Sequence, residues 1–151
     1  MDNQPPPERL AGELERWAQE WGRPAVVDTH PGGVASTYGA VSAAQLVVVP
    51  APLGTRELEA LEGMVEELKD YPMLLIPNMV PAVPPEREIS WLEDISRRSG
   101  APVGPAISEY RWLKRRQRRM AITAGDPISA RCRPLVEELA EVVKAVIQHV
   151  G

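Results

Sequence analysis

Three places in this 151-residue chain put a chemically useful residue at the end of an apolar run. The first is Asp28, which follows Ala25, Val26 and Val27 and precedes Thr29-His30-Pro31-Gly32-Gly33. A carboxylate at the carboxyl end of a strand, just before a Gly/Pro turn, is where α/β proteins hold a metal-bound phosphate. The second is "VVVPAPLGTRELEAL" (47–61), where a β-branched run stops at Pro50 and a helix opens at Thr55. The third is Asn78, closing "LLIPN" (74–78) with a side chain that both donates and accepts.

A fourth feature is charge. Residues 109–133 hold eight basic side chains, Arg111, Lys114, Arg115, Arg116, Arg118, Arg119, Arg131 and Arg133, against Glu109 and Asp126. That segment is therefore +6, and with the whole chain at −4 the remainder is −10. Arg outnumbers Lys 14 to 3, and the planar guanidinium is the better fork for phosphate. A phosphate-cradling loop would need glycines followed by a lysine. The three lysines are Lys69, Lys114 and Lys144, and none follows a glycine.

The elements that must position these residues alternate. A helix is expected over 6–21, with Leu10, Leu14, Trp17 and Trp21 on one stripe. A buried strand is expected at 24–28, a small-residue helix at 34–44, and a second strand at 45–52 buried on both faces. Thr55 as N-cap opens a helix over 55–70, striped by Leu58, Leu61, Val65 and Leu68. A strand at 72–80, a helix at 84–100 closed by Gly100, and a short strand at 101–107 follow. A helix over 111–122 would place Arg111, Arg115, Arg118 and Arg119 on one side, with Trp112 and Met120 toward the core. The final helix, from 134 to about 149, carries Leu135, Leu139, Val142, Val146 and Val150. Strand–helix alternation predicts an α/β fold: a mostly parallel sheet of about four strands with helices on both faces.

Composition sets the frame. With 44% apolar and 25% charged residues, the chain has the make-up of an ordinary globular protein. Cys132 is the single cysteine, read as a small apolar filler, so no disulfide framework and no cysteine metal site is expected. "MDNQPPPERL" has neither the basic nor the apolar region of a secretory leader, and no run approaches a membrane span. A cytoplasmic protein is expected. The final helix has three acids and one lysine, unlike the basic helices that lie on membranes, and is read as a packing helix.

The order of these pieces resembles a family. D-T-x-P-G, a small-residue helix, a strand ending V-x-P, an amphipathic helix and a strand ending in Asn resemble the ParA/MinD group of P-loop ATPases, closest to the segregation ATPases called ParA or Soj. "APVGPAISEYRWLKRRQRRMAITAGDPIS" (101–129) fits their strand-ending proline, basic segment and G-x-P before the last helix. The resemblance covers 24–149 and matches the second half of that domain. It implies a single ParA-like domain over 1–151, with an N-terminal helix to 23 and an α/β body from 24, lacking the phosphate loop. By resemblance, Asp28 holds Mg²⁺ through water, Pro31 and Gly32 belong to the switch loop, and Asn78 contacts the nucleotide base. The basic segment Arg111, Lys114, Arg115, Arg116, Arg118 and Arg119 corresponds to the region that holds DNA.

The resemblance implies a partition protein, nucleoid-associated and unable to hydrolyse ATP alone, that binds DNA non-specifically or modulates a full-length ParA. A centromere-binding protein is another implied partner, and a homo- or hetero-oligomer is implied. ATP and Mg are expected only if a partner supplies the phosphate loop. Two other readings stand beside it: an ATPase completed by another chain, and a non-catalytic interaction module. The residues also have plain structural roles open to them. Asp28 can cap a turn. His30 can be an exposed turn residue. His149 suits a helix carboxyl end, and Asn78 can simply end a strand. The Arg cluster can bind phosphate or an acidic partner. Exposed tryptophans at 17, 21, 91 and 112 would serve an interface.

Overall fold

The computed structural model describes residues 5–29, 35–116 and 121–151. The chain forms two compact units, Met1–Val47 and Val48–Gly151; the sequence placed its division at residue 23.

In the first unit, α1 (Pro7–Trp21) packs on α2 (Ala35–Ala43). Pro7 occupies the first helical position, where its missing N–H costs nothing, and Gly22 closes α1 at φ +55°. Arg16 ties Glu13 and Glu20 along the exposed side. The small residues of α2 let the helices approach closely. A Cβ on Gly39 would lie 2.6 Å from the Pro7 carbonyl oxygen. Gly39, Ala40 and Val41 are buried, whereas α1 buries no residue.

In the second unit, β1 (Val47–Pro52) pairs with β2 (Met73–Asn78) in a small parallel sheet. The two are joined by α3 (Thr55–Glu67), and α4 (Glu86–Ser99) follows β2. The stripe Leu58, Leu61 and Val65 of α3 and the pair Leu92 and Ile95 of α4 are buried. The two helices pack on each other, and Arg98 reaches across to Glu62. Gly100, at φ +75°, ends α4 with its N–H on the Ser96 carbonyl. The chain then runs parallel to β2 on the side away from β1. Leu75 donates to Pro102 and accepts from Gly104, and Val80 donates to Ile107 and accepts from Glu109. The last helix, α5 (Arg133–Val150), buries Leu135 alone.

The fold is thus α/β, and four expectations change in detail. Residues 24–29 carry no regular structure and are exposed, with Val26 at 95%, so the expected strand 24–28 is absent. Four residues beginning after Pro24 cannot hold a strand without a ladder partner, and none pairs with them among the described residues. The expected four-strand sheet is a two-strand sheet extended by isolated bridges from 103 and 108. β1 is not covered on both faces: Val49 and Ala51 are buried while Val48 and Pro50 are exposed. Only β2 is buried throughout, from Met73 to Pro77. Finally, where a helix is expected over 111–122, the described residues 111–116 form a single 3-10 turn, Leu113–Arg115, with Arg116 already extended, and 117–120 lie outside the described residues. Like charges three and four apart repel on a helix, and this segment offers little acid to offset them.

Candidate functional site

The second unit brings two of the sequence candidates to one end of its sheet. Asn78 closes β2, and the parallel bridge Val80–Ser108 sets residues 108–109 beside it. The chain leaves 109 directly into the basic turn. Ligands of open α/β sheets gather at the carboxyl ends of the strands, and both features lie there.

Asn78 is engaged locally. Its Oδ1 accepts a hydrogen bond of 2.9 Å from the Met79 N–H. Met79 sits in the left-handed region at φ +54°, a strained place for a side chain of its size. The Asn78 amide therefore stabilises the break at the strand end, as a turn-forming Asn does. The plain reading of this residue has a geometric basis.

The basic turn is held by three internal hydrogen bonds: Leu113 N–H to Tyr110, Arg115 N–H to Trp112 and Arg116 N–H to Leu113. Arg111, Lys114 and Arg115 are exposed, and Arg116 is half-buried with a long 3.4 Å contact to the Ala121 carbonyl. Lys114 donates to Glu109 at 2.8 Å, and this neighbour holds the Glu109 carboxyl below its ordinary value. One of the eight cations is thus partly neutralised within the turn. Arg118, Arg119 and Met120 lie outside the described residues.

Two contacts unseen in the sequence join this turn to the start of α5. Glu138 accepts from Ser108 twice, from Oγ at 2.6 Å and from N–H at 2.9 Å. Burial, then the Glu138 carboxylate, raises the Tyr110 phenol above its usual value. Arg131 stacks on Trp112, its guanidinium carbon 5.1 Å from the ring centroid, and Tyr110 meets the same ring edge-on at 6.1 Å. Trp112 is half-buried, as expected for a residue turned from solvent. Residues 108 and 138, or 112 and 131, are too far apart in sequence for any periodicity to couple them.

The remaining candidates fall elsewhere. Asp28 belongs to the first unit, on the exposed segment 24–29, and does not end a strand. Pro31, Gly32 and His30 lie outside the described residues. Among the described residues, no group of three or more His, Cys, Asp and Glu side chains is placed to hold a metal ion. A nucleotide-bound Mg²⁺ would need more than Asp28 in that setting, and Asn78 has its carbonyl committed to Met79. The described residues do not fit such a site by themselves. His149 Nδ1 lies 2.7 Å from the Ala145 carbonyl within α5. Trp17 and Trp21 are exposed and stacked on each other, while Trp91 is half-buried. Among the described residues, no helix is long and apolar enough to cross a membrane. Comparison of the chain with protein-family models, curated proteins and solved structures finds no match.

Proposed function

We propose that this chain is a ParA-like DNA-partition protein that grips the phosphate backbone of DNA without reading sequence. The observation that carries the reading is the placement of the exposed cations Arg111, Lys114 and Arg115 at the carboxyl end of the sheet, on a chain that is otherwise acidic. Charge concentrated at one edge attracts a polyanion even when the net charge is negative. Contacts to phosphates position a protein on the duplex and carry no sequence information. The element order β1–α3–β2–α4 and the extended 101–109 segment agree with the second half of the ParA pattern.

On this reading the 151 residues bind and do not catalyse. ATP and Mg would enter with a phosphate loop from another chain, such as a full-length ParA or an oligomeric partner. Asn78 supports the non-catalytic side, because its carbonyl already serves Met79.

The test is fluorescence anisotropy on a random-sequence duplex, titrated with salt. Each neutralised phosphate contributes about 0.9 to the slope of log affinity against log salt. The triple variant Arg111→Ala, Lys114→Ala, Arg115→Ala should flatten that slope by about 2 to 3 units, equally for unrelated sequences. A wild-type chain that fails to bind at low salt, or a variant with an unchanged slope, removes the reading.

A further inference from the structure

The eight basic side chains of residues 109–133 come from two stretches, 111–119 and 131–133, separated by a Gly- and Pro-containing excursion. Nothing in their spacing makes them one surface. In the structure, the indole of Trp112 lies under the guanidinium of Arg131, and Tyr110 braces the ring from its edge. Two residues before Tyr110, Ser108 gives both its donors to the Glu138 carboxylate on α5. The turn after 109 and the entry to α5 are therefore tied twice, once by a carboxylate and once by a cation on an aromatic face.

We infer that Trp112 is a positioning residue that holds Arg131 beside Arg111 and Arg115, so that these three cations form one phosphate-binding surface for duplex DNA. This rests on the DNA reading proposed above. An unanchored arginine loses much of its rotamer freedom when it meets a phosphate, whereas one already laid on an indole loses less. The same contact has a second consequence. One face of the Trp112 ring is covered by Arg131. It is thus poorly placed to stack a nucleobase, which is how single-strand binders use tryptophan. The surface suits a duplex backbone over an unpaired strand.

The experiment uses the 151-residue chain with a random 20-base-pair duplex and the matching single strand, both salt-titrated by anisotropy. Arg131→Ala should lower the salt slope on the duplex by about 0.9, as for any direct phosphate contact. Trp112→Ala leaves every charge in place, yet should weaken duplex binding about two- to five-fold, the range of an exposed cation–π contact. Trp112→Phe keeps an aromatic face and should restore most of that affinity, which separates positioning from a general loss of fold. The double variant Trp112→Ala, Arg131→Ala should bind no worse than Arg131→Ala alone, because the two losses share one cause. The duplex should bind more tightly than the single strand in the wild type.

Wild-type duplex binding combined with an unchanged slope in Arg131→Ala overturns this inference and leaves the DNA reading standing. So does a Trp112→Phe variant as weak as Trp112→Ala, or a double variant whose losses add. Tighter binding of the single strand, with Trp112 fluorescence quenched on binding, would assign the indole to base stacking instead. If the wild type binds neither strand at low salt, the DNA reading and this inference fall together.

Discussion

Two short apolar runs, 25–28 and 74–78, end in a polar residue and look alike as sequence, and they meet opposite fates. Met73–Asn78 is the centre of the second unit, with Leu75 wholly buried and backbone partners on both sides. Residues 24–29 carry no regular structure and are exposed, with Val26 at 95% and Val27 at 45%. The difference is not propensity, since Val favours strands at least as much as Leu does. It is the company each run keeps. β2 sits between β1 and the 101–109 segment, and α3 and α4 bring their buried stripes to the same unit. A strand is completed by ladder bonds from elsewhere in the chain, and a four-residue run cannot supply those itself.

The largest effect expected from this contrast is at Leu75. Leu75→Ala removes a side chain with no solvent exposure and should cost about 2–5 kcal/mol, read as a drop in the urea midpoint at unchanged slope. A loss below 1 kcal/mol would mean that β2 is not the centre of the core.

A middle-sized effect is expected where α5 meets the 101–109 segment. Glu138→Gln weakens the two Ser108 hydrogen bonds made to a carboxylate and should cost about 1 kcal/mol, below the ~1.5–3 kcal/mol range for charged acceptors because Ser108 is exposed. The same carboxylate shapes the alkaline limb of stability. The Tyr110 phenol is raised above its usual 10.0, first by burial and then by Glu138. A group raised on folding contributes stability that is fully present below its unfolded value and is lost as pH rises through the folded one. Stability should therefore fall above about pH 10, and Tyr110→Phe should flatten that fall in pH-dependent urea melts. An alkaline limb identical in the variant would remove Tyr110 from the account.

The smallest effect is at the other run. Val26→Ser should change stability by less than about 0.5 kcal/mol in the same urea assay, because the side chain is already in water. A loss comparable to that of Leu75→Ala would show that 24–29 is packed after all.

What the sequence made legible follows the same division. α1, α3, α4 and α5 were readable because each is long and striped at helical spacing, and each lies within a few residues of its expected span. α2 was readable as a helix of small residues, and the close approach of Gly39 to Pro7 emerges only in the structure. Residues 24–28 were misread because a strand depends on partners that no local pattern reveals. The start of the basic helix, at 111–116, was misread because helical spacing from Trp112 onward outweighed the repulsion among its closely spaced cations. Of the candidate site, the cations and Asn78 were visible as residue types. Their shared position at the end of the sheet was not, because it depends on the parallel bridge from Val80 to Ser108. The Glu138 hub and the Arg131–Trp112 stack were invisible for the same reason.

One feature of the first unit reaches beyond energetics to time. α1 buries no residue, and at its first turn the Pro7 backbone lies close against Gly39 of α2. Segments with so few buried contacts open with free energies far below that of global unfolding. The amides of α1 belong to the fast-exchanging class, while those of β2 wait for the whole unit to open. A protease would find the Trp17–Trp21 end of the chain long before it found the core. Loosening α1 exposes little buried surface, which is why its opening should come first.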